Sequence, residues 1–161
     1  MDEVLIGIGS NLEPEQALRA AVVALKQRFG RVVCSSVYLG PAAGLTAAHY
    51  LNMVVQVVTD AEIDSLRADL AAIETATGRT RDDPRVCRLD LDLLAYGGRV
   101  DAAQRLPRPG LYSLPFVLVP LAEIAPGLAH PLTGERCSAA LATARRSPDL
   151  RSLGELATLG A

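Results

Sequence analysis

Arg88-Leu89-Asp90-Leu91-Asp92-Leu93-Leu94 alternates polar and apolar residues strictly, the pattern of a strand with one buried face. Asp90 and Asp92 therefore project from the same face of a sheet. Paired carboxylates at this spacing suit a hard cation. Magnesium in particular takes a few carboxylate oxygens and fills its remaining positions with phosphate oxygens and water. Arg79, Arg81, Arg85, Arg88, Arg99, Arg105 and Arg108 cluster around the two aspartates, and Lys26 is the only lysine of the chain. Guanidinium groups grip phosphate oxygens in a two-pronged geometry, so this neighbourhood points to a polyanionic ligand and to metal-assisted phosphoryl or nucleotidyl chemistry.

Working outward from this strand, Val4 to Gly9 reads as a buried strand, and the Gly9-Ser10-Asn11 turn leads to a helix opened by Pro14. That helix carries the apolar stripe Leu18, Val22, Leu25 and Phe29 and closes at Gly30. Val32 to Tyr38 is a β-rich run ending at the Gly40-Pro41 break, with a loop to His49. In the strand from Tyr50 to Thr59, Tyr50 and Asn52 share one face, while Leu51, Met53, Val55 and Val57 share the other. Thr59 and Glu62 form the pattern of a capping box for a second helix with the stripe Ile63, Leu66, Leu70 and Ile73, ended by Gly78. The arginine-rich loop and the aspartate strand follow. The order strand, helix, strand, strand, helix, strand predicts an α+β fold: a ferredoxin-like two-layer sandwich with helices on one face of an antiparallel sheet. The other face is expected to be open to a ligand.

The additional C-terminal elements are less sharply written. A short strand around Val100, a short buried helix beginning at Phe116 and a helix over Ser138 to Ala144 are predicted, with the last dozen residues loosely held.

The chain has 161 residues, half of them hydrophobic, which predicts one domain spanning 1–161. A net charge of −2 argues against a general nucleic-acid binder, so the arginines are assigned to a small anionic ligand. No stretch reads as a leader or a membrane span, and a cytoplasmic location is expected. Cys34, Cys87 and Cys137 fit neither a disulfide framework nor a zinc pattern and are read as plain thiols.

Five segments together resemble the 6-hydroxymethyl-7,8-dihydropterin pyrophosphokinase family of folate biosynthesis: IGIGSNL (6–12), YLNMVV (50–55), IETATGRTR (73–81), LDLDLLAYG (89–97) and FVLVPLAEIAPG (116–127). The resemblance implies transfer of pyrophosphate from ATP to the hydroxymethyl group of the reduced pterin, with release of AMP. It implies two magnesium ions held by Asp90 and Asp92, and a catalytic set of Asp90, Asp92, Arg79 and Arg88. It assigns Glu74, Arg79, Arg81, Arg85, Arg88, Leu93 and Arg108 to ATP, with Leu93 facing the adenine. It also implies that Tyr50 and Phe116 sandwich the pterin, that Asn52 bonds its edge, and that the backbone around Pro41, Ala42 and Ala43 touches it. The partners implied are these two small molecules, with no nucleic acid and no membrane, on a monomer.

Three differences from the family pattern stand out. The loop before the aspartates is short and has no Trp, so either Arg85 or Arg88 takes the place of a phosphate-binding arginine. Arg108 stands where a histidine is frequent, and Leu114 where an arginine often stands. A pterin-binding paralogue with weakened turnover and a nucleotidyl transferase on a similar scaffold are the alternative readings.

Overall fold

The computed structural model describes residues 1–41, 49–144, 147 and 149–160. The first strand, β1 (Asp2–Ser10), is the centre of the molecule. It pairs antiparallel with β4 (His49–Thr59) on one side and with β5 (Asp90–Tyr96) on the other. The short β2 (Val33–Cys34) and β3 (Val37–Pro41) both pair with β4, and β6 (Arg151–Gly154) closes the far edge against β3. The order β5-β1-β4-β3-β6 contains the expected ferredoxin-like arrangement, in which β2 and β3 together take the place of one strand.

Helices α1 (Pro14–Phe29) and α2 (Ile63–Ala76) cover one face. Pro14 suits the first turn of α1, Glu15 lies at its N-terminal end, and Lys26 and Arg28 lie at its C-terminal end, each favourable to the helix dipole. Gly30, at φ 78°, ends the helix in a conformation that a side chain would strain. The buried face of α1 is Ala17, Leu18, Ala21, Val22 and Leu25. It packs on Val4, Ile6 and Ile8 of β1, Met53, Val55 and Val57 of β4, and Leu91 and Leu93 of β5. Several of these side chains are fully buried, and each fully buried aliphatic contributes on the order of 2 kcal/mol relative to exposure.

The expected capping box does not form. Thr59 ends β4 and its hydroxyl accepts from the Ala61 amide at 3.1 Å, while Glu62 itself stands at the N-cap of α2 with no side-chain cap bond. The turn into α2 uses Thr59 locally, which leaves it too far back to cap the helix. Nor does a strand form around Val100; Asp101 and Leu106 make a single bridge instead.

The second face carries the C-terminal elements. Helix α3 (Pro115–Ile124) and the short α4 (Cys137–Thr143) build a second apolar cluster with Leu5, Val54, Leu94 and Ala95. The face expected to be open is thus covered over part of its area, and the uncovered part is the site described below. The C-terminal tail is docked: β6 pairs with β3, and Leu153, Leu156 and Leu159 pack against the α1 and α2 core. Those leucines, spaced by three, were the missed signal.

Candidate active site

Strand register builds the floor. Gly7 lies opposite Asp92 of β5 and Val54 of β4, and Gly9 lies opposite Asp90 and Asn52. The two glycines put no side chain on the sheet surface, so a bare strip of backbone runs between the aspartates on one side and the Asn52 amide on the other. At Gly9 this is a close approach: a Cβ there would stand 3.0 Å from the Asn52 Oδ1. A cleft of about 300 Å³ opens over this strip, with Tyr50 and Phe116 in its walls and Pro41, Pro84 and Arg108 at its margins. That volume matches a small heterocycle, and aromatic walls with a few directed polar groups suit a flat one. Ala42 and Ala43 lie outside the described residues.

The alternation of β5 holds through Leu94, which lines the cleft with the aspartates, and then breaks. A bulge opposite Leu5 and Ile6 shifts the register, so Leu94 and Ala95 both enter the second cluster. Asp90 and Asp92 face the cleft, whereas the Leu93 side chain is buried on the opposite, helix-covered face. An adenine on the aspartates' face would not meet the Leu93 side chain, because an odd position on this strand cannot share that face.

Each aspartate is met by one arginine. The Arg79 Nη1 donates to Asp90 at 2.7 Å and to Glu74 Oε1 at 2.5 Å. The same Glu74 oxygen accepts from the Leu91 backbone N–H at 2.7 Å. Glu74 is buried, so it is neither solvated nor facing the cleft; it fixes both Arg79 and the start of β5. Arg108 meets Asp92 at 3.0 Å, and its own backbone N–H donates to the Leu94 carbonyl at 2.8 Å, which docks the loop on the edge of β5. Burial raises the Asp92 carboxyl to about 6, the nearby Asp90 charge adds to this, and Arg108 opposes it.

The other arginines are elsewhere. Arg88 donates its Nε to the Thr77 carbonyl at 2.6 Å and pairs with Glu13, tying the end of α2 to the start of α1. Arg85 is exposed and folds back on Asp83, at 3.0 Å from Nε and 2.9 Å from Nη2. Arg81 is exposed as well. Of the seven residues assigned to ATP from sequence, the structure brings Arg79 and Arg108 to the aspartates and supports Arg79 through Glu74. Arg85 and Arg88 are held by other partners, and Arg81 is exposed. Leu114, in place of the frequent arginine, packs in the cluster around α3.

Two aspartates flanked by cations give a sparse donor set for a metal. Among the described residues no group of three or more His, Cys, Asp or Glu side chains could hold an ion. The set nevertheless fits magnesium, which needs few protein oxygens when phosphates supply others, and a divalent charge would offset both the burial that raises Asp92 and the smaller effect of the neighbouring Asp90.

The sequence reading passed over three contributors: the Gly7 and Gly9 floor, Pro84 at the rim, and Asn11. Asn11 bonds the arginine loop through both ends of its amide, donating to the Arg85 carbonyl at 2.7 Å and accepting from the Cys87 N–H at 2.6 Å. Cys87 sits in turn beside the Tyr50 hydroxyl. Burial, followed by the Asp90 charge, raises the Cys87 thiol, so it is no activated nucleophile. Burial, followed by the charge of Cys87, pushes Tyr50 up to about 12.

A ferredoxin-like sheet with paired aspartates, two arginines and an aromatic-walled cleft on one face is the arrangement of a small-molecule site beside an anion-binding one. The family model for 7,8-dihydro-6-hydroxymethylpterin-pyrophosphokinase matches residues 5–126. Proteins named 2-amino-4-hydroxy-6-hydroxymethyldihydropteridine pyrophosphokinase are similar along most of the chain. The one from Synechocystis sp. is 39% identical over 139 residues, 81% of this chain and 70% of the relative. That from Methylorubrum extorquens is 39% identical over 151 residues, 88% and 93% respectively. The chain belongs to this pyrophosphokinase family. Among solved structures, a triple mutant of Plasmodium falciparum HPPK-DHPS superposes with a TM-score of 0.68 at 10% identity, over 86% of this chain. The match covers 42% of that longer protein, and at this identity it speaks for the fold alone.

Proposed function

We propose that this chain transfers pyrophosphate from ATP to the hydroxymethyl group of 6-hydroxymethyl-7,8-dihydropterin, with two magnesium ions bound at Asp90 and Asp92. The observation that carries this reading is the glycine strip with Asp90 and Asp92 along one side and Asn52 along the other. It supports a flat ring lying over Gly9, stacked by Tyr50 and Phe116 and read at its edge by the Asn52 amide. Its hydroxymethyl group is directed toward the aspartates.

The hydroxymethyl oxygen forms a bond to the β-phosphorus, and the bond from that phosphorus to the oxygen bridging the α-phosphate breaks. AMP leaves with the bridging oxygen, and the hydroxyl proton passes to solvent. Magnesium, when bound, neutralises phosphate charge and aligns the chain for in-line transfer. Asp90 and Asp92 would hold the metal, and Arg79 and Arg108, which pair with these carboxylates in the ligand-free chain, are placed to turn to phosphate oxygens instead. Glu74 keeps Arg79 and the start of β5 in place during that exchange. Arg81 and Arg85, exposed on the same loop, are left as outer contacts of the phosphates, and Arg88 acts as a strut between α1 and α2. Such chemistry depends on placement and charge neutralisation, so a dedicated general base is not needed.

Large apolar side chains that are exposed among the described residues are distributed over the molecule, with Val23 on α1, Val58 on β4, Leu141 on α4, Met1 at the N-terminus and Leu12, Val86, Val100 and Leu132 in loops, and a monomer is part of this proposal. No helix of the described residues is long and apolar enough to cross a membrane. A cytoplasmic location is part of this proposal. The reading is tested by following AMP in the presence of ATP and magnesium. AMP formed only when the reduced pterin alcohol is added is the expected result; tight pterin binding without AMP would refute turnover.

A further inference from the structure

We infer that Asn11 is a positioning residue for the transfer, a latch by which the turn after β1 sets the arginine loop against the pterin side of the cleft. The inference rests on the proposed reaction and deepens it. The Asn11 side chain binds a carbonyl and an N–H two residues apart, Arg85 O and Cys87 N, as the peptide group of a neighbouring strand would. The surrounding turn adds to the grip. The Asn11 backbone N–H donates to the Cys87 carbonyl at 2.9 Å, the Leu12 N–H to the same oxygen at 3.3 Å, and the buried Ser10 hydroxyl reaches it at 3.4 Å. Cys87 is thereby held on both its N–H and its carbonyl.

What lies on either side of this clamp gives it a functional meaning. Pro84, just before it, lines the cleft, and the Cys87 thiol lies beside the Tyr50 hydroxyl. Three residues beyond Cys87, β5 begins at Asp90. Asn11 also follows Gly9, the floor of the cleft, by two positions. One side chain therefore fixes the distance between the floor, the rim and the metal-binding strand. The loop it holds offers few apolar anchors between Arg79 and Arg88, so the polar latch is its main tie to β1. An amide is required at this position. Asp can accept from Cys87 but cannot donate to the Arg85 carbonyl, and Ala does neither.

The test compares full-length wild type, Asn11→Ala and Asn11→Asp by amide hydrogen exchange at Cys87, by calorimetry with the reduced pterin in the presence of magnesium and a non-hydrolysable ATP analogue, and by steady-state kinetics. Asn11→Ala is expected to lose Cys87 protection and to lower kcat/KM for the pterin by about tenfold or more, the scale of one or two hydrogen bonds. Asn11→Asp is expected to keep Cys87 protection, to be intermediate in kcat/KM and, should Asn11→Ala fail to fold, to carry the test alone. Wild-type kcat/KM in either variant overturns the inference, as does a loss in Asn11→Ala that disappears at a temperature where the variant is fully folded. If wild type itself produces no AMP, the proposed reaction falls, while exchange at Cys87 and pterin affinity still decide whether Asn11 sets the loop.

Discussion

Arg79 holds Asp90 at 2.7 Å with the same nitrogen that holds the buried Glu74. One guanidinium thus joins β5 to the inner side of α2, and Glu74 also accepts from the backbone N–H of Leu91 on β5. Glu74→Ala is expected to cost about 2 to 3 kcal/mol in urea unfolding, because it strands a partly buried cation and a buried N–H together. Glu74→Gln, which can still accept from Leu91, should recover much of that. Equal stability of Glu74→Ala and wild type would mean that the residue supports nothing.

Asp90→Asn and Asp92→Asn are expected to lower kcat by two orders of magnitude or more (roughly 3 kcal/mol), since the amides keep shape but lose the charge a metal pair requires. Pterin affinity measured without nucleotide should change little. Turnover equal to wild type at saturating magnesium would remove the metal role from this strand.

Asp92 also makes stability depend on pH. Its carboxyl rises from an ordinary value of 3.8 to about 6 on folding. Between those values the folded chain holds a proton that the unfolded chain has lost. Ligand-free stability therefore falls as pH rises through this window, and the loss persists above it. The group is partly exposed, so the effect is below about 1 kcal/mol after solvent screening. Asp92→Asn should raise the Tm of the ligand-free protein near neutral pH and give no advantage below about pH 4. A lower Tm in that variant at neutral pH would show that the ion pair with Arg108 outweighs the cost of burying the carboxylate beside Asp90.

Tyr50→Ala and Phe116→Ala are each expected to weaken pterin binding by about 1 kcal/mol beyond the area lost, and nucleotide binding by much less. Calorimetry with the two ligands separately makes the comparison. Unchanged pterin affinity in folded variants would make these rings mere packing.

The two floor glycines should differ. A Cβ at Gly7 meets only Leu94 at an ordinary 3.5 Å, whereas one at Gly9 meets the Asn52 Oδ1 at 3.0 Å. Gly9→Ala should therefore displace the Asn52 amide and weaken the pterin by about tenfold, with little effect on ATP, the scale of one misdirected hydrogen bond. Pterin binding by Gly9→Ala as tight as by wild type would mean that the ring does not lie over this strip.

Much of this architecture was legible because it rests on local patterns. Alternation put Asp90 and Asp92 on one face, and Tyr50 with Asn52 on another strand's matching face, and stripes of period three to four gave α1 and α2. What escaped depended on register and on distant partners. Gly7 and Gly9 are unremarkable in a strand until pairing sets them between Asp92, Asp90 and Asn52. Glu74 sits at the edge of its helix stripe, and only the return of β5 seventeen residues later turns it inward. Arg88 and Asp90 are neighbours in sequence, yet the strand start sends one guanidinium to Thr77 and Glu13 and leaves the carboxylate to Arg79. Composition could show that arginines cluster, not which of them turn toward the cleft.

The central claim, attack at the β-phosphorus with intact transfer of pyrophosphate, is tested most directly by phosphorus NMR of the reaction with ATP carrying heavy oxygen in the α–β bridge. The account requires the label to appear in AMP and the other product to be a pterin diphosphate. ADP with a pterin monophosphate, or a pterin adenylate with free pyrophosphate, would contradict it.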